Sequence, residues 1–219
     1  MKIEKNTARI EDMTKTIKGE TVLSGVSMEL FGGKIYGIVG KNGSGKTMLF
    51  RAISGLIRPD RGKIFWNGQY IKDSLQGVLR LGLVLENIGL HPDLSAQENL
   101  AYLAKINCYI TKKEAIQTLS RVGLDPKNKK KVKTYSLGMR QKLVIAQAVM
   151  EHPDLLLLDE PTNALDAQSV ERVRGIIREE AERGAIVVIA SHNREDIDTL
   201  CDHVFYMKDG VLTEDRGDE

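Results

Sequence analysis

The stretch that decides the fold is residues 40–47, which read Gly-Lys-Asn-Gly-Ser-Gly-Lys-Thr. It fits the phosphate-binding pattern G-x-x-x-x-G-K-[ST], and it lies between a β-rich segment, Lys34–Val39, and an apolar helical segment, Met48–Ile53. In this pattern the glycines let successive backbone N–H groups and the helix N-terminus point at phosphate oxygens. Lys46 would reach the β- and γ-phosphates, and the hydroxyl of Thr47 would hold Mg²⁺. The sequence therefore predicts a strand, a phosphate-binding loop and a helix in succession.

The size and charge of the chain limit the kinds of partner it can have. Its 219 residues suffice for one ample domain or two small ones. Hydrophobic residues at 42% and charged residues at 28% argue against a disordered or collagen-like chain. Lys and Arg total 32 against 30 for Asp and Glu, a net charge of +2. This is too small for a surface devoted to nucleic acid or anionic lipid, so we expect a local polyanion site and no nucleic-acid partner.

The apolar runs, the first residues and the cysteines indicate where in the cell we expect the chain. Its longest clean apolar runs, residues 155–158 and 185–190, are far shorter than the ~18 residues that cross a bilayer. Residues 1–9 are polar and do not resemble a secretory signal, so we expect a cytoplasmic chain. Cys108 and Cys201 lie far apart without metal-ligand spacing, and we expect free thiols there.

The first third of the chain is rich in strand patterns joined by turns. Residues 21–30 mix apolar and polar side chains in the manner of a strand. Asn67-Gly68 separates two short strand patterns, residues 63–66 and 69–71, which is typical of a two-residue β-hairpin. Asp209-Gly210 predicts a second hairpin turn near the end. The N-terminal part is therefore predicted to contain an antiparallel sheet.

The middle of the chain changes to helical patterns. Ser95-Ala-Gln-Glu98 and Thr111-Lys-Lys-Glu114 are capping boxes that each open a helix, so residues from about 88 to 150 are predicted to form a helical subdomain. Buried strands then alternate with helices, which predicts a parallel sheet covered by helices. The predicted strands are 154–159 and 185–190, and the predicted helices are 166–183 and 193–201. Residues 1–87 and 151–219 would then form one core.

Two carboxylates, Asp159 and Glu160, end the apolar strand Leu155–Leu158, in a pattern that resembles a Walker B element. Ligand sites of α/β sheets lie at the carboxyl ends of the strands, where the phosphate loop is also expected. Asp159 would bind Mg²⁺ through water, and Glu160 would accept a proton from the attacking water. The alternative is a buried strand capped by two solvated acids, which the phosphate loop makes the weaker interpretation.

A third segment, residues 135–141, reads Tyr-Ser-Leu-Gly-Met-Arg-Gln and completes a family resemblance. Over essentially its whole length the chain resembles the ATP-binding subunits of ATP-binding cassette (ABC) transporters, whose signature is usually Leu-Ser-Gly-Gly-Gln. Ser136 and Gly138 are kept here. Leu137 replaces the first Gly, and Met139 replaces the Gln. In this family the signature of one subunit covers ATP bound to the other, so the resemblance implies a homodimer or heterodimer with two shared sites.

Two further segments match the family in its order. Residues 163–166, Asn-Ala-Leu-Asp, resemble the D-loop that crosses the dimer interface, although Asp166 is also a plausible helix N-cap. His192 follows the second buried strand and resembles the switch histidine that contacts the γ-phosphate. A surface histidine is the alternative interpretation of His192 taken alone.

Two positions depart from the family pattern. Glu86 stands where the loop that links ATP to the membrane subunit usually has Gln, and an ionised carboxylate is a harder Mg²⁺ ligand than an amide. A solvated acid at a strand end is the alternative there. Ile17, in Lys15–Gly19, replaces the usual aromatic residue at the adenine site, and it can pack on a base but cannot stack as a ring does. We therefore expect weak selectivity for the base.

The resemblance implies an α/β P-loop NTPase fold with a mixed parallel sheet core, an N-terminal antiparallel β-subdomain and an inserted helical subdomain that carries the signature. It implies ATP hydrolysis that drives a separate membrane permease and holds the chain at the inner face of the cell membrane. Glu86 together with the Tyr-Ser-Leu-Gly-Met segment resembles export-type cassettes, including those that expel peptides, antibiotics, drugs or lipids. A soluble ABC ATPase that acts as a mechanical switch is the main alternative. A P-loop small-molecule kinase, which would lack the signature and the D-loop, is the weaker one.

The expected ligand is ATP and the expected cofactor is Mg²⁺. The ATP-binding residues would be Gly40, Lys41, Asn42, Gly43, Ser44, Gly45, Lys46, Thr47 and Met48. The catalytic residues would be Glu160, His192 and Glu86, and the metal ligands Thr47, Glu86 and Asp159. Ser136, Leu137, Gly138 and Met139 would cover the partner's ATP, Asp166 would serve the D-loop, and Ile17 is the adenine-site candidate.

Overall fold

The computed structural model describes residues 6–72, 77–85 and 89–214. In chain order the strands are β1 (Thr7–Ile17), β2 (Glu20–Phe31), β3 (Lys34–Val39), β4 (Arg61–Trp66), β5 (Gln69–Ile71), β6 (Leu81–Val84), β7 (Leu155–Asp159), β8 (Ile186–Ala190), β9 (His203–Lys208) and β10 (Val211–Thr213). The helices are α1 (Lys46–Ile53), α2 (Ala96–Asn107), α3 (Lys112–Arg121), α4 (Leu137–Val149), α5 (Ala167–Glu182) and α6 (Arg194–Leu200). A short 3₁₀ turn covers Val132–Thr134.

The larger sheet has six strands in the order β10-β9-β3-β8-β7-β6. Neighbours from β9 to β6 pair in parallel, and β10 pairs antiparallel with β9, so the sheet is mixed. Every residue of β7 and β8 is buried. Strands of this kind, buried on both faces, are typical of parallel sheets covered on both sides. The predicted parallel sheet is confirmed.

The smaller sheet has four antiparallel strands in the order β2-β1-β4-β5. Asn67 and Gly68 join β4 to β5 with φ values of 49° and 78°, which confirms the predicted hairpin. Strand β1 was not predicted from its residues. Its register with β2 shifts three times between Ile10 and Thr16, so its side chains do not alternate regularly enough to give a clear strand pattern.

Both predicted capping boxes form. The hydroxyl of Ser95 accepts from the N–H of Glu98 at 3.3 Å, and the Glu98 carboxylate accepts from the N–H of Ser95 at 2.8 Å. Thr111 and Glu114 make the same reciprocal pair. These bonds, with the backbone N–H of the cap as the largest cause, lower the pKa of both glutamates. The helices α2 and α3 therefore begin where the sequence predicted.

Two apolar clusters cover the two faces of the larger sheet. Leu156 and Leu158 of β7 contact the cluster formed with α2–α5, whereas Leu155 and Leu157 contact the cluster beneath the smaller sheet. Alternate side chains of one strand thus serve opposite faces. Among the helices of the described residues, none combines the length and apolar character needed to cross a membrane.

Candidate active site

The parallel strands β3, β7 and β8 end side by side, so the three segments that follow them lie at one edge of the sheet. Ile38 of β3 and Asp159 of β7 both pair with Ala190 of β8. The phosphate loop follows β3, Glu160 follows β7, and His192 follows β8. The sheet therefore gathers the predicted phosphate, acid and histidine segments at its carboxyl edge, as expected for an α/β ligand site.

The phosphate loop holds its lysine inside the turn. Lys46 is buried, and its Nζ donates to the carbonyl oxygens of Gly40 at 2.7 Å and Lys41 at 3.1 Å. The Oγ of Ser44 is also buried and has no hydrogen-bond partner among the described residues. A buried hydroxyl without a partner costs free energy that a ligand oxygen would recover. The loop thus offers a cation and a buried hydroxyl of the kinds that bind a phosphate group.

The remaining predicted loop residues have simpler surroundings. Lys41, Asn42 and Gly43 are exposed at the tip of the loop. Met48, on the first turn of α1, is half-buried and packs against the apolar cluster beneath the smaller sheet. Its side chain is therefore part of the packing that holds α1.

Thr47 and Asp159, two of the predicted metal ligands, meet directly. The Thr47 hydroxyl donates to Oδ2 of Asp159 at 2.6 Å, across 112 positions of sequence. Both side chains offer hard oxygen ligands beside the phosphate loop, and Mg²⁺ takes such ligands together with phosphate oxygens. The chemistry of these residues fits the ion. Glu86, the third predicted ligand, lies outside the described residues.

Glu160 is held by the segment that follows β8. Its Oε1 lies 2.8 Å from Nδ1 of His192 and accepts from the backbone N–H of His192 at 3.1 Å. The Ser191 hydroxyl donates to Oε2 at 3.4 Å. The φ of Glu160 is 49°, in the left-handed region that a non-glycine residue adopts at a cost, so the chain turns sharply as it leaves β7. Ser191 is a partner of the acid that the sequence analysis missed.

The signature residues form the N-terminus of α4. Ser136 is its N-cap, and its Oγ accepts from the N–H of Met139 at 3.3 Å. Leu137 is 70% exposed. A Cβ added at Gly138 would lie 2.9 Å from the carbonyl oxygen of Ala164, so the signature packs closely on the D-loop of the same chain.

Asp166 has a demonstrable structural role. Its Oδ1 accepts from the N–H of Ser169 at 2.9 Å, which makes Asp166 the N-cap of α5 and lowers its pKa.

A hydrogen-bonded connection between α4 and the segment after β7 was missed by sequence reasoning. Nε2 of Gln141, on α4, donates to the carbonyl oxygens of Glu160 at 3.2 Å and Pro161 at 3.0 Å. The signature helix is thus tied to the segment that carries the acid.

A cleft of about 670 Å³ lies between α4 and the end of β7. Leu137 and Gln141 line it from the helix, and Asp159 and Glu160 line it from the sheet. The signature helix, Asp159 at the end of β7 and Glu160 directly after it therefore face a common space within one chain.

The predicted adenine-site residue, Ile17, lies at the hairpin between β1 and β2. Ile17 is half-buried at the end of β1 and pairs with Glu20 of β2. Further along β2, the carbonyl oxygen of Val22 lies only 2.8 Å from the position of a Cβ added at Gly45. The strand that leaves the hairpin therefore touches the phosphate loop.

A buried ionic network joins the two segments that carry Glu160 and His192. Arg174 of α5 donates to Oδ1 of Asp196 through Nε at 2.9 Å and Nη2 at 2.7 Å. Thr162, two residues after Glu160, donates to the other oxygen of Asp196. Asp196 itself stands four residues after His192. Charged residues on separate helices gave no sequence signal for this network.

Comparisons with known proteins agree with this geometry. The family model for ABC transporters matches residues 23–163. The chain is 46% identical over 201 residues to an uncharacterized ABC transporter ATP-binding protein of Bacillus subtilis (strain 168), YybJ, covering 92% of each chain. It is 40% identical over 207 residues to the bacitracin transport ATP-binding protein BcrA of Bacillus licheniformis, covering 93% of this chain and 67% of that protein.

A solved structure shows the same fold. The dimeric ATP-binding cassette MJ0796, bound to ADP and Pi in a post-hydrolysis state, matches with a TM-score of 0.85 at 25% identity. The match covers 94% of this chain and 96% of that one. The chain belongs to the ABC transporter family, as one of its ATP-binding ATPase subunits with a P-loop NTPase fold. The predicted family, fold class and ATPase activity are confirmed.

Proposed function

We propose that this chain forms a dimer on binding ATP and drives a separate membrane permease that exports a peptide, antibiotic, drug or lipid. BcrA is named for bacitracin transport, and the match to it covers 93% of this chain. This supports the antibiotic bacitracin as the first cargo to test. The permease would hold the chain at the inner face of the cell membrane. Residues 1–87 and 151–219 would act as one catalytic core, and residues from about 88 to 150 as the inserted helical subdomain.

The observation that carries the proposed hydrolysis is the environment of Glu160. His192 contacts Oε1 through both its ring and its backbone N–H, whereas among the described residues Oε2 has the longer contact with Ser191 alone. Oε2 is therefore the oxygen better placed to accept the proton of an attacking water. The water oxygen would bond to the γ-phosphorus as the bond to the β-phosphate oxygen breaks. His192 would fix the orientation of Glu160 and sense the γ-phosphate.

The other residues would bind and neutralise the triphosphate. Phosphate oxygens would be bound by Lys46, by backbone N–H groups of residues 40–47 and by the buried Ser44 hydroxyl. Thr47 and Asp159 would hold Mg²⁺, with Glu86 as a further ligand proposed from the sequence alone. Mg²⁺ would offset part of the negative charge on the β- and γ-phosphates.

The proposed dimer is supported by the exposed start of α4. Leu137 is a large apolar side chain that is 70% exposed beside Ser136 at the helix N-terminus. A partner subunit would cover Leu137, and the N-terminus of α4 with the Ser136 hydroxyl suits an anionic ligand bound to that partner. Gly138 and Met139 complete the segment, and Asp166 places the start of α5 behind the D-loop.

Glu160→Gln tests the catalytic assignment. This variant should bind MgATP, accumulate as an ATP-bound dimer and hydrolyse ATP at least ~10²-fold more slowly, which is the usual effect of losing a general base. Glu182→Gln is the matched control, because Glu182 is an exposed residue on α5. Gel filtration with ATP and phosphate release with the permease present measure the two effects. Hydrolysis by Glu160→Gln close to that of Glu182→Gln would contradict the assignment.

Transport and its direction need a separate experiment. The chain should co-purify with a membrane protein, and inside-out vesicles holding both should take up labelled bacitracin in the presence of ATP. Vesicles with Glu160→Gln are the control. Uptake into right-side-out vesicles would indicate import instead. Failure to capture any membrane protein would favour the soluble mechanical switch.

A further inference from the structure

The turn between β9 and β10 is hydrogen-bonded to the phosphate loop on one side and to β2 on the other. The N–H of Gly210 donates to the carbonyl oxygen of Ser44 at 2.9 Å. The carbonyl oxygen of Gly210 accepts from the N–H of Ser24 at 2.9 Å. A single residue, 166 positions after Ser44, thus bridges the phosphate loop and the strand that follows the adenine-site hairpin.

The backbones at this junction are packed too closely for a side chain at the turn. The φ of Gly210 is 78°, and an added Cβ would lie 2.9 Å from the carbonyl oxygen of Val22 and 3.0 Å from its carbonyl carbon. A Cβ at Gly45 would lie 2.8 Å from the same Val22 oxygen, and one at Gly40 would lie 2.3 Å from the carbonyl oxygen of Met207. These obstacles are backbone atoms, which cannot rotate away as a side chain does.

The bond from Gly210 fixes the direction of a peptide group in the phosphate loop. A trans peptide is planar, so the carbonyl of Ser44 and the N–H of Gly45 point in opposite directions. Gly45 has a φ of 111°, a region that glycine enters without penalty, and its peptide could otherwise turn over. A reversed peptide would turn the Ser44 carbonyl oxygen to the side that the Gly45 N–H now occupies. Anion-binding loops depend on N–H groups rather than carbonyls at the phosphate.

We propose that Gly210 is a positioning residue for ATP: its N–H holds the Ser44–Gly45 peptide in the orientation that binds phosphate, and its carbonyl ties that loop to β2. Gly210 acts through Ser44 and β2 and does not itself touch the nucleotide. The turn is therefore part of the nucleotide site although it lies near the other end of the sequence.

Gly210→Ala tests the proposal against a matched control, Gly68→Ala. Asn67–Gly68 has φ values of 49° and 78°, and Asp209–Gly210 has 48° and 78°, so both substitutions introduce the same backbone strain. No described atom lies within 4 Å of a Cβ at Gly68, and that turn joins β4 to β5. Gly210→Ala should raise the Kd of MgATP at least ~10-fold, because the Ser44–Gly45 peptide would lose the orientation that binds phosphate. Gly68→Ala should leave the Kd within about twofold, even where the two variants lose equal thermal stability. An unchanged Kd in Gly210→Ala, or an equal loss in both variants, would overturn the proposal.

Hydrogen exchange on the unaltered protein keeps the test valid if Gly210→Ala does not fold. Coupling is reciprocal, so a turn that favours ATP binding must itself be stabilised by ATP. The amide of Gly210 should exchange at least ~10-fold more slowly with MgATP present. The reference is the amide of Asn67, which donates to Thr7 at 2.8 Å in the other turn and should change less than about twofold. Equal slowing of the two amides would overturn the proposal.

Discussion

The buried pair between Arg174 and Asp196 allows a quantitative prediction of stability. The two residues are 2% and 0% exposed. Asp196→Ala removes the partner of two guanidinium nitrogens, Nε and Nη2, and also the acceptor of the Thr162 hydroxyl. The variant therefore leaves a buried positive charge and a buried hydroxyl without their main acceptor.

The remaining contacts set the size of the expected loss. Breaking a buried ion pair from one side costs about 3–5 kcal/mol. Nη1 of Arg174 keeps Glu171 at 2.7 Å and Glu195 at 3.0 Å, so we expect the lower end of that range, about 3 kcal/mol. At a slope of about 2.5 kcal/mol per M, the urea midpoint should fall by about 1.2 M. Glu195→Gln is the control, because Glu195 is 70% exposed and its loss should cost less than about 1 kcal/mol.

A double variant separates the unpaired charge from a general loss of packing. Arg174→Met with Asp196→Leu removes both charges and keeps apolar volume, so it should recover most of the stability lost in Asp196→Ala. Urea unfolding followed by circular dichroism measures all three variants. A free energy of unfolding for Asp196→Ala within about 1 kcal/mol of that of the unaltered protein would contradict this prediction, and so would a double variant as unstable as Asp196→Ala.

Three further predictions concern single groups. The N–H of Ser169 lowers the pKa of Asp166 below its ordinary 3.8, so the ionised cap stabilises the fold above pH 3.8 and this stabilisation is lost as the pH falls through the lowered pKa. In thermal melts at acid pH, Asp166→Asn should therefore lose less stability than the unaltered protein, and equal losses would contradict the prediction. Burial raises the pKa of the Cys201 thiol to about 12, whereas Cys108 is exposed, so a thiol reagent at about pH 8 should modify Cys108 and spare Cys201. Equal labelling of the two cysteines in mass spectrometry would refute this prediction. Ile17 should give weak base selectivity, so a preference for ATP over GTP beyond ~100-fold in competition binding, about 2.7 kcal/mol, would mean that another residue reads the base.

The features that sequence reasoning predicted are those set by neighbouring residues. The phosphate loop needs eight consecutive positions, and the hairpin turn at Asn67-Gly68 needs two. The capping boxes that open α2 and α3 need four residues each, and both form as predicted. The family resemblance also rested on short segments, among them residues 40–47, 155–160 and 135–141, and the comparisons confirm it.

The features that were missed depend on distant partners. Gln141 looks like any polar residue on a helix, yet it donates to two carbonyls of the segment after β7. The Asp209-Gly210 turn was predicted as a turn, but nothing near it in sequence indicates that its N–H reaches Ser44. The bulged strand β1 shows the same limitation, because its irregular register obscures the alternation that marks a strand.

The alignment of the active site depends on strand register, and four leucines cannot set that register alone. Side chains alternate along a strand, so a shift of β7 by one residue would move Asp159 to the opposite face and away from Thr47. Residues 155–158 are all leucine and face apolar clusters on both sides, so burial barely distinguishes one register from the next. Asp154, just before β7, favours the observed register over its neighbours. Its carboxylate accepts from the backbone N–H of Arg80 at 2.9 Å, and its own N–H donates to the Arg80 carbonyl oxygen at 2.8 Å. A carboxylate at the opposite end of β7 from Glu160 therefore fixes where Asp159 and Glu160 leave the sheet.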